Sequence, residues 1–453
     1  MKLFIHRKDL RTEDLPALDY IRALNRPMLP ILILDPFLLR EGRAAEHSGK
    51  HFLRQVGRLR ATYERCGIKL RLYYGEPVAV VRRLLAELPG IDEIVCHEDG
   101  TPYAMQRDRD LAAAAAEAGV RWTALPDQPL VDLPGFHRES GRSEGYKVFT
   151  PFYRKWSDYL QEHPRFPYAT RIAELPQAEG DEEGIGQLFP LPEEVRAAIT
   201  WDGEPLVPEG LLESFLEERL TEYSRDRDRY ALGATSGISR YLNCGSLSVR
   251  TVHERLLARP EGGESWKRQL AWRDFYLYQS RMDKRFFRYE RAFDLSGLSD
   301  AHFRAWAEAR TGIPVVDAAM TELNETGAMP NRLRMVTAMF LTKNLLCPFP
   351  FGERYFRRKL ADYDNTLNRG GWLWCSSLGF DAAPYFRIMN PVAQSRTHDP
   401  SGSYIRRWLP ELANLNDKDI HLPRPHAIVD LKASRAAAIE AYRRLLGTFS
   451  ANS

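Results

Sequence analysis

The first 125 residues alternate short apolar runs with longer amphipathic stretches, and this alternation limits the possible folds more than any other feature of the chain. The apolar runs occur at 2–5, 28–34, 69–74, 92–96 and 120–125. Between them lie stretches with helical periodicity, at 51–66, 76–88 and 105–119. Alternation of this kind predicts a parallel sheet covered by helices. No GxGxxG motif follows the first run, so the pattern does not predict a glycine-rich dinucleotide site there.

Beyond residue 125 the pattern changes twice. Residues 126–205 are rich in Pro, Gly and Glu, with one periodic run at 148–160, and we interpret them as a long interdomain linker. From about residue 206 the periodicity is helical, at 211–224, 248–258, 265–282, 318–326, 331–346 and 434–446. A chain of 453 residues is long for one core. We therefore predict an α/β domain at 1–125, the linker at 126–205 and an all-α domain at 206–453.

Charge and cysteine usage argue against several classes of protein. The net charge of +3 predicts no globally basic surface, so a nucleic acid would have to bind a local patch. The five cysteines are scattered without a CxxC pair, which argues against a metal site or a disulfide framework and fits a reducing cytoplasm. The chain begins without an apolar h-region and has no run of 18 apolar residues, so we expect neither secretion nor a membrane span.

The densest group of polar and aromatic residues lies between Ala361 and Pro391. If the segment from Asp364 to Trp374 is helical, Asp364, Asn368 and Trp372 fall on one stripe, one turn apart. A carboxylate, a carboxamide and an indole on one stripe suit a planar, hydrogen-bonding, redox-active ligand. They equally suit an ordinary core helix whose Asp caps its first turn, and spacing alone leaves both readings open.

A series of longer motifs resolves this ambiguity. In chain order they read TGIPVVDAAMTELNETGAMPNRLRM, FLTKNLL, GERYF, LADYDNTLNRGGWLW, DAAPYFRIMNP and YIRRWLPEL, from Thr311 to Leu412. Together they resemble the photolyase/cryptochrome family, and such a density of motifs is far more specific than a single glycine-rich signature. The N-terminal part, including RKDLRTED at 7–14, is similar to the Rossmann-like antenna domain of that family. The resemblance implies that the C-terminal helical domain binds FAD.

Two segments are candidates for flavin contacts. The turn with Thr235, Ser236, Gly237 and Ser239 could cradle a phosphate, although composition alone favours an N-cap turn. In the family the matching segment holds the flavin pyrophosphate. The resemblance thus implies FAD contacts by Tyr223, Thr235, Ser236, Gly237, Ile238, Ser239, Arg334, Asp362, Tyr363, Asp364 and Asn368. It also implies that Arg334 pairs with Asp362. In the family the residue matching Asn368 faces flavin N5, where a carboxamide can either accept or donate a hydrogen bond.

A second set of residues matches the pocket for a damaged base. One helix face carries Gln269, Trp272, Arg273 and Tyr276, a mixture of aromatic and polar groups that suits a stacked base or flavin. An amphipathic helix with Trp272 as a core filler is the alternative that the spacing leaves open. The resemblance implies a lesion pocket formed by Gln269, Trp272, Asn331, Met335 and Trp374.

Three positions depart from the family pattern. Enzymes acting on cyclobutane dimers usually carry Glu at the position of Gln269. Where the family usually reads GWMHNR, this chain has Ala328 in place of the Trp and Pro330 in place of the His. Pro330 also argues against repair of (6-4) photoproducts, because the matching histidine is thought to transfer a proton. The pattern further predicts that Gly327 stops one helix and that Pro330 opens the next as its first residue.

The tryptophan chain that reduces the flavin in this family is incomplete here. Trp372 matches its inner member, whereas Phe349 stands where the middle member is expected, and Phe is much harder to oxidise than Trp. No outer member is identifiable, since the interval between Trp272 and Trp306 holds no Trp.

Four arginines lie on or next to the cavity motifs, and we expect them to contact DNA phosphates. They are Arg227, Arg273, Arg332 and Arg387.

Our first hypothesis is a monomeric, FAD-dependent DNA photolyase that uses blue light to split cyclobutane pyrimidine dimers flipped out of damaged DNA. The sequence does not identify an antenna chromophore, and a protein without one is an alternative. The second hypothesis is a cryptochrome-like photoreceptor with little or no repair, which Gln269, Ala328 and Pro330 favour. A third is a helical nucleic-acid-binding protein without a cofactor, and a colourless purified protein would support it.

Overall fold

In the computed structural model, which describes residues 1–178, 183–200, 208–259, 261–379 and 381–451, a parallel sheet forms near the N-terminus. Its strands are β1 (Lys2–His6), β2 (Met28–Leu34), β3 (Arg71–Tyr74), β4 (Glu93–His97) and β5 (Arg121–Leu125), in the order β3-β2-β1-β4-β5. Every apolar run of the first 125 residues becomes one of these strands. The predicted α/β class of this region is therefore confirmed.

Helices occupy much of the rest of the chain. The first part contains α1 (Pro16–Leu24), α2 (Pro36–Leu39), α3 (His47–Arg65), α4 (Pro77–Glu87), α5 (Pro102–Glu117), α6 (Leu133–Glu139), α7 (Phe149–Glu162), α8 (Glu183–Leu188), α9 (Glu193–Ile199) and α10 (Pro208–Glu218). The middle part contains α11 (Tyr223–Asp226), α12 (Ser239–Cys244), α13 (Val249–Leu257), α14 (Gly263–Met282) and α15 (Phe303–Ala307). The last part contains α16 (Pro314–Thr326), α17 (Asn331–Met339), α18 (Phe349–Lys359), α19 (Asn365–Cys375), α20 (Pro391–His398), α21 (Ser403–Trp408) and α22 (Leu431–Ala451). The all-α class predicted for the C-terminal half is confirmed.

Contacts divide the chain into two compact units that interleave along the sequence. Unit 1 comprises Met1–Ser143, Tyr153–Leu220 and Ser236–Leu277, and unit 2 comprises Glu144–Phe152, Thr221–Thr235 and Tyr278–Ser453. The borders of these units differ from the predicted domain boundaries at 125 and 205. The predicted division into two domains and a linker stays a prediction. The segment predicted as a linker also holds α6 to α9. Helix α7 corresponds to the periodic run at 148–160, whereas the Pro and Gly content obscured the short helices α6, α8 and α9. Its residues 179–182 and 201–207 lie outside the described part of the chain.

Unit 1 is built around the sheet, whose central strand β1 pairs with both β2 and β4. Leu3 lies opposite Leu29 on one side and Ile94 on the other, and all three are fully buried. Apolar clusters cover both faces of the sheet, as a parallel sheet requires. The chain order reverses between β1 and β4, which makes their carboxyl ends the switch point of the sheet.

Buried charges tie the helices of unit 1 to the loops that follow its strands. The guanidinium of Arg250, on α13, donates to Asp14 Oδ1 at 2.8 Å and to Asp127 Oδ1 at 2.7 Å. Asp274, on α14, accepts from the backbone N–H groups of Leu130 and Val131. Because removing one member of a buried, paired set of charges is strongly destabilising, these contacts fix α13 and α14 within the unit.

Unit 2 is a helical bundle whose helix ends follow the sequence signals closely. Gly327 ends α16 with a left-handed backbone (φ 71°), as predicted. Pro330 is the N-cap of α17 rather than its first helical residue, so the prediction for Pro330 is off by one position. The periodic run predicted to 346 ends earlier as an α-helix, because Phe340–Asn344 forms a π-helical turn directly after α17.

No helix in the described part of the chain is long and apolar enough to cross a membrane.

Candidate functional site

Helix α19 begins because Asp364 caps it. The Asp364 carboxylate accepts from the backbone N–H groups of Thr366 at 2.9 Å and Leu367 at 3.0 Å. The helix that follows carries Asn368 and Trp372 one turn apart on the same stripe. The cap by Asp364 and the helical stripe are therefore both present, and binding of a ligand along this stripe stays a prediction.

The stripe of α19 combines a fixed carboxamide with room beside the helix backbone. Asn368 Nδ2 donates to the carbonyl of Glu353 at 3.1 Å, which holds the amide in one orientation. A Cβ placed on Gly371, three residues further on, would meet no atom within 4 Å. A planar ligand can thus approach the backbone of α19 more closely at Gly371 than at a residue with a side chain.

The ion pair implied between Arg334 and Asp362 is present in unit 2. Arg334 Nη2 donates to Asp362 Oδ2 at 2.9 Å, and Arg334 Nε donates to the carbonyl of Met329 at 2.9 Å. The Asp362 side chain is 10% exposed and that of Arg334 is 28% exposed. The pair is therefore partly shielded from water, which strengthens its electrostatic interaction relative to a fully solvated pair.

A buried arginine that the sequence reading missed positions α19. Arg369 donates to the Glu353 carboxylate at 2.7 Å, to the carboxylate of Glu290 and to the carbonyl of Phe286. Burial raises the pKa of Glu353 even though Arg369 opposes this effect. Since Glu353 also supplies the carbonyl that holds Asn368, this network sets the orientation of the predicted flavin-facing amide. The partners of Arg369 lie 16, 79 and 83 positions away, too far for a local sequence signal.

The segment predicted to hold a pyrophosphate is split between the two units. Tyr223 is buried in unit 2, where the guanidinium of Arg227 lies 5.6 Å from its ring centroid, and burial raises the pKa of its phenol. Thr235 is exposed and ends the same stretch of unit 2. Ser236, Gly237, Ile238 and Ser239 belong to unit 1, where Ile238 is the N-cap of α12 and Gly237 has φ 66°.

Three predicted lesion-contacting residues belong to unit 2. Asn331 is exposed at the start of α17, and its amide lies 3.9 Å from the sulfur of Met335, one turn later. Trp374, on α19, is partly exposed, unlike Trp372 two positions earlier.

Tyr363, predicted to contact the flavin, lies just before α19, and its hydroxyl donates to Asn365 Oδ1 at 3.0 Å.

The other predicted pocket residues lie on α14 in unit 1. Trp272 and Tyr276 have ring centroids 5.8 Å apart, and both rings, like Gln269, are partly exposed. The mixed face predicted for this helix is therefore accessible. Arg273 is different, because its guanidinium donates to the carbonyl of Gln128 and its side chain is 10% exposed. This engagement makes Arg273 a poor candidate for a DNA phosphate, and its predicted role stays untested.

The remaining arginines predicted to contact DNA lie in unit 2 and differ in their environment. Arg387 is exposed in the loop before α20. Arg332 donates to Asp228, and Arg227 lies 3.9 Å from the same carboxylate. Burial acts to raise the pKa of Asp228, but the hydrogen bond and charge of Arg332 outweigh it and the pKa lies below its usual value. Arg387 is thus the most accessible cation of the three.

Trp372 has an aromatic environment that differs from the one expected for a tryptophan chain. Phe349 begins α18 and lies under Arg369, whose guanidinium carbon is 5.0 Å from its ring centroid. The nearest indole neighbour of Trp372 among the described residues is Trp306, with ring centroids 6.3 Å apart. Nothing in the local sequence of Trp306 marks it as a neighbour of Trp372.

At the switch point of the sheet in unit 1, side chains bind one another. His6 Nε2 and the Tyr63 hydroxyl share a hydrogen bond of 2.6 Å, and both His6 and His97 contact the carboxylate of Asp9. All four side chains are buried. Burial acts to raise the pKa of Asp9, but the two histidines hold it well below its usual value.

A parallel α/β region and a helical region with a carboxylate, a carboxamide and an indole along one helix define a protein able to hold a planar redox cofactor. The model for the DNA photolyase family matches residues 2–170, and the model for the FAD binding domain of DNA photolyase matches residues 266–444. The deoxyribodipyrimidine photo-lyase of Vibrio cholerae is 33% identical over 480 residues, which cover 99% of this chain and 100% of the relative. The chain belongs to the DNA photolyase family, and its C-terminal part carries the FAD-binding domain of that family.

Solved structures agree with this assignment. A bacterial class III photolyase from Agrobacterium tumefaciens is 28% identical, with a TM-score of 0.82 and 98% of each chain covered. A cryptochrome from Synechocystis is 23% identical, with a TM-score of 0.80, and covers 98% of this chain and 99% of its own. At that identity the cryptochrome supports the shared fold alone.

Proposed function

We propose that this protein is a DNA photolyase that splits cyclobutane pyrimidine dimers by light-driven electron transfer from reduced FAD. The observation that carries the proposal is the arrangement in unit 2 of the Arg334–Asp362 ion pair with the Asn368 and Trp372 stripe of α19. Full-length similarity to relatives that bear the name deoxyribodipyrimidine photo-lyase supports it. The proposal extends to action as a monomer in a reducing cytoplasm, with which the five free cysteines are compatible.

The donor set of unit 2 fits the flavin. Asp362 and Asn368 offer acceptors for ring N–H groups, Arg334 offers a cation, and Gly371 leaves space beside the helix. When bound and excited by blue light, reduced FAD supplies the electron that opens the dimer. Asn368, held by the Glu353 carbonyl, would offer its oxygen and remaining N–H to flavin N5. Tyr223, Tyr363, Asp364 and the segment Thr235 to Ser239 complete the proposed set of flavin contacts.

Asn331, Met335 and Trp374 are the proposed lesion contacts of unit 2, and Gln269 and Trp272 those of unit 1. Their partial or full exposure supports this role, because a flipped base must reach them. Gln269 contributes a neutral hydrogen bond where a carboxylate would give a charge-assisted one. Such bonds differ by roughly 1 kcal/mol, so we expect weaker repair than a Glu would give. Pro330 carries no titratable group, and we expect no repair of (6-4) photoproducts.

Arg227, Arg332 and Arg387 are the proposed contacts to DNA phosphates, which would position the duplex without reading its sequence. Arg387 supports this most directly, because it is exposed. Arg332 and Arg227 share the carboxylate of Asp228, so each would have to rearrange or contact phosphate with its remaining N–H groups.

The test is a light-dependent repair assay on oligonucleotides that contain either a cyclobutane dimer or a (6-4) photoproduct. We expect the reduced, FAD-loaded protein to restore the first lesion under blue light, Gln269→Glu to restore it faster, and neither to act on the second. If the fully reduced wild type and Gln269→Glu both leave dimers intact, the proposal is wrong. A bound flavin with no repair would then favour the photoreceptor, for which Gln269, Ala328 and Pro330 are the specific observations.

A further inference from the structure

A path of aromatic rings leads from Trp372 to the surface of unit 2 without passing through Phe349. Trp372 lies against Trp306 with ring centroids 6.3 Å apart, and Trp306 lies against Tyr355 at 5.7 Å. Phe356 fills the angle between the two indoles, 5.9 Å from Trp306 and 5.1 Å from Trp372. Trp372 and Trp306 are buried, whereas Tyr355 is partly exposed.

The environment of Trp306 favours passing an oxidised state onward. Its indole is fully buried, and its Nε1–H donates to the carbonyl of Thr337 at 3.1 Å. A peptide carbonyl cannot take up the indole proton, so an oxidised Trp306 keeps a positive charge in an apolar core. Such a charge is costly there, and its loss to a neighbouring donor is favourable.

Tyr355 is placed to be that donor. Tyr355 is partly exposed, and its hydroxyl donates to Asn324 Oδ1 at 2.6 Å and contacts the carbonyl of Ala307 at 2.9 Å. Neither oxygen can take up the phenolic proton, so the relay requires this proton to pass to water as the electron leaves. The product is a neutral radical, which leaves no buried charge behind.

We infer that Trp306 and Tyr355 replace the missing members of the tryptophan chain. This inference rests on the proposed function, because it requires bound FAD. One electron passes from Tyr355 to Trp306, from Trp306 to Trp372, and from Trp372 to the photoexcited oxidised flavin. The phenolic proton of Tyr355 goes to solvent. A thiol reductant in solution then returns one electron and one proton to Tyr355.

The experiment is flash photolysis of the oxidised, FAD-loaded protein, with freeze-quench electron paramagnetic resonance to identify the radical. We expect a tyrosyl radical in the wild type, its loss and replacement by a tryptophan radical in Tyr355→Phe, and loss of lasting photoreduction in Trp306→Phe. The matched controls are Tyr289→Phe and Trp408→Phe, which change a tyrosine and a tryptophan of the same unit and should behave as the wild type does. A tyrosyl radical that survives in Tyr355→Phe, or wild-type photoreduction in Trp306→Phe, overturns the inference.

Repair by protein that has been reduced chemically beforehand separates this inference from the proposed function. Trp306→Phe and Tyr355→Phe should then repair dimers at the wild-type rate, since the relay is not used. If the reduced wild type fails to repair, the proposed function is wrong while the radical data still decide the relay. Flavin content and circular dichroism check that Trp306→Phe folds, and Tyr355→Phe, which keeps the ring, decides the question if it does not.

Discussion

We expect FAD binding to depend on the charge of the Asp362 side chain rather than on its shape. It is nearly buried, and Arg334 donates to it at 2.9 Å. Asp362→Asn keeps the shape of the side chain but removes its charge, so bound FAD should fall clearly while the stability of the flavin-free protein changes by about 1 kcal/mol or less. Arg334 is partly exposed and keeps its bond to Met329, which limits the cost to folding.

The ratio of flavin to protein absorbance, together with urea unfolding, measures both effects. Asp417→Asn is the control, because Asp417 pairs with Arg406 at the surface and should leave flavin content unchanged. Full occupancy by FAD in Asp362→Asn would contradict the assignment of Asp362 to the flavin.

Lys343 is fully buried in the π-helical turn and should make stability depend on pH. Burial lowers its pKa to about 7, although its Nζ donates to Ser377 Oγ at 2.8 Å and lies 3.4 Å from the ring centroid of Tyr442. Between about pH 7 and about pH 10.5 the unfolded chain binds the proton and the folded protein does not, so stability rises with pH in this window. Below about pH 7 Lys343 is protonated in both the folded and the unfolded protein, so the full cost of burying its charge remains.

Lys343→Met should therefore stabilise the protein at neutral pH, by up to a few kcal/mol, and should lose the rise in stability toward alkaline pH. Urea unfolding across that window measures both changes. Lys418→Met, at an exposed position, is the control and should change little. An alkaline rise of wild-type size in Lys343→Met would rule out Lys343 as its source.

At the scale of elements, the contact between α18 and α19 depends on a glycine. A Cβ on Gly352 would overlap the indole of Trp372 and lie 2.7 Å from Leu341 Cδ2. Gly352→Ala should thus force the helices apart or displace Trp372, at a cost of about 1–3 kcal/mol that exceeds the gain in helix propensity. Gly371→Ala, on α19 with open space around its Cβ, should instead be neutral or stabilise by up to about 1 kcal/mol.

Chemical unfolding of the flavin-free variants, followed by tryptophan fluorescence, compares the two glycines directly. Equal stability of the two variants would mean that α18 and α19 accommodate the methyl group, and that their close packing is not required. A loss of flavin in Gly371→Ala without a loss of stability would add support for a ligand beside this part of α19.

At the scale of the whole molecule, the small net charge of +3 makes DNA binding depend on local cations. Each phosphate contact contributes about one to the slope of log affinity against log salt. Arg387→Ala should reduce that slope by about one and weaken binding to damaged and undamaged duplexes alike. Arg443→Ala is the control, because Arg443 pairs with Glu440 on α22 at 2.9 Å and should leave the slope unchanged.

Fluorescence titrations of a labelled duplex at several salt concentrations give the slope. If Arg387→Ala binds with the wild-type slope, Arg387 does not contact phosphate. A change confined to damaged DNA would instead assign Arg387 to the lesion.

Local pattern was enough to predict the strands of the sheet, the end of α16 at Gly327 and the cap and stripe of α19. These features depend on backbone periodicity and on hydrogen bonds between residues within one turn, so the nearby residues determine them. The ion pair of Arg334 with Asp362 came from motif resemblance, which carries long-range information that periodicity lacks. The positions of Gln269, Trp272 and Tyr276 on one accessible helix face followed from spacing as well.

The tertiary structure alone decided which distant side chains meet. Arg369 reaches Glu290 and Glu353, Trp306 packs on Trp372, and His97 reaches Asp9, although none of these partners is marked in the local sequence. Such contacts depend on how whole helices and strands pack, which many residues determine together. For the same reason composition concealed the short helices α6, α8 and α9, because short helices owe their stability to packing more than to their own propensity.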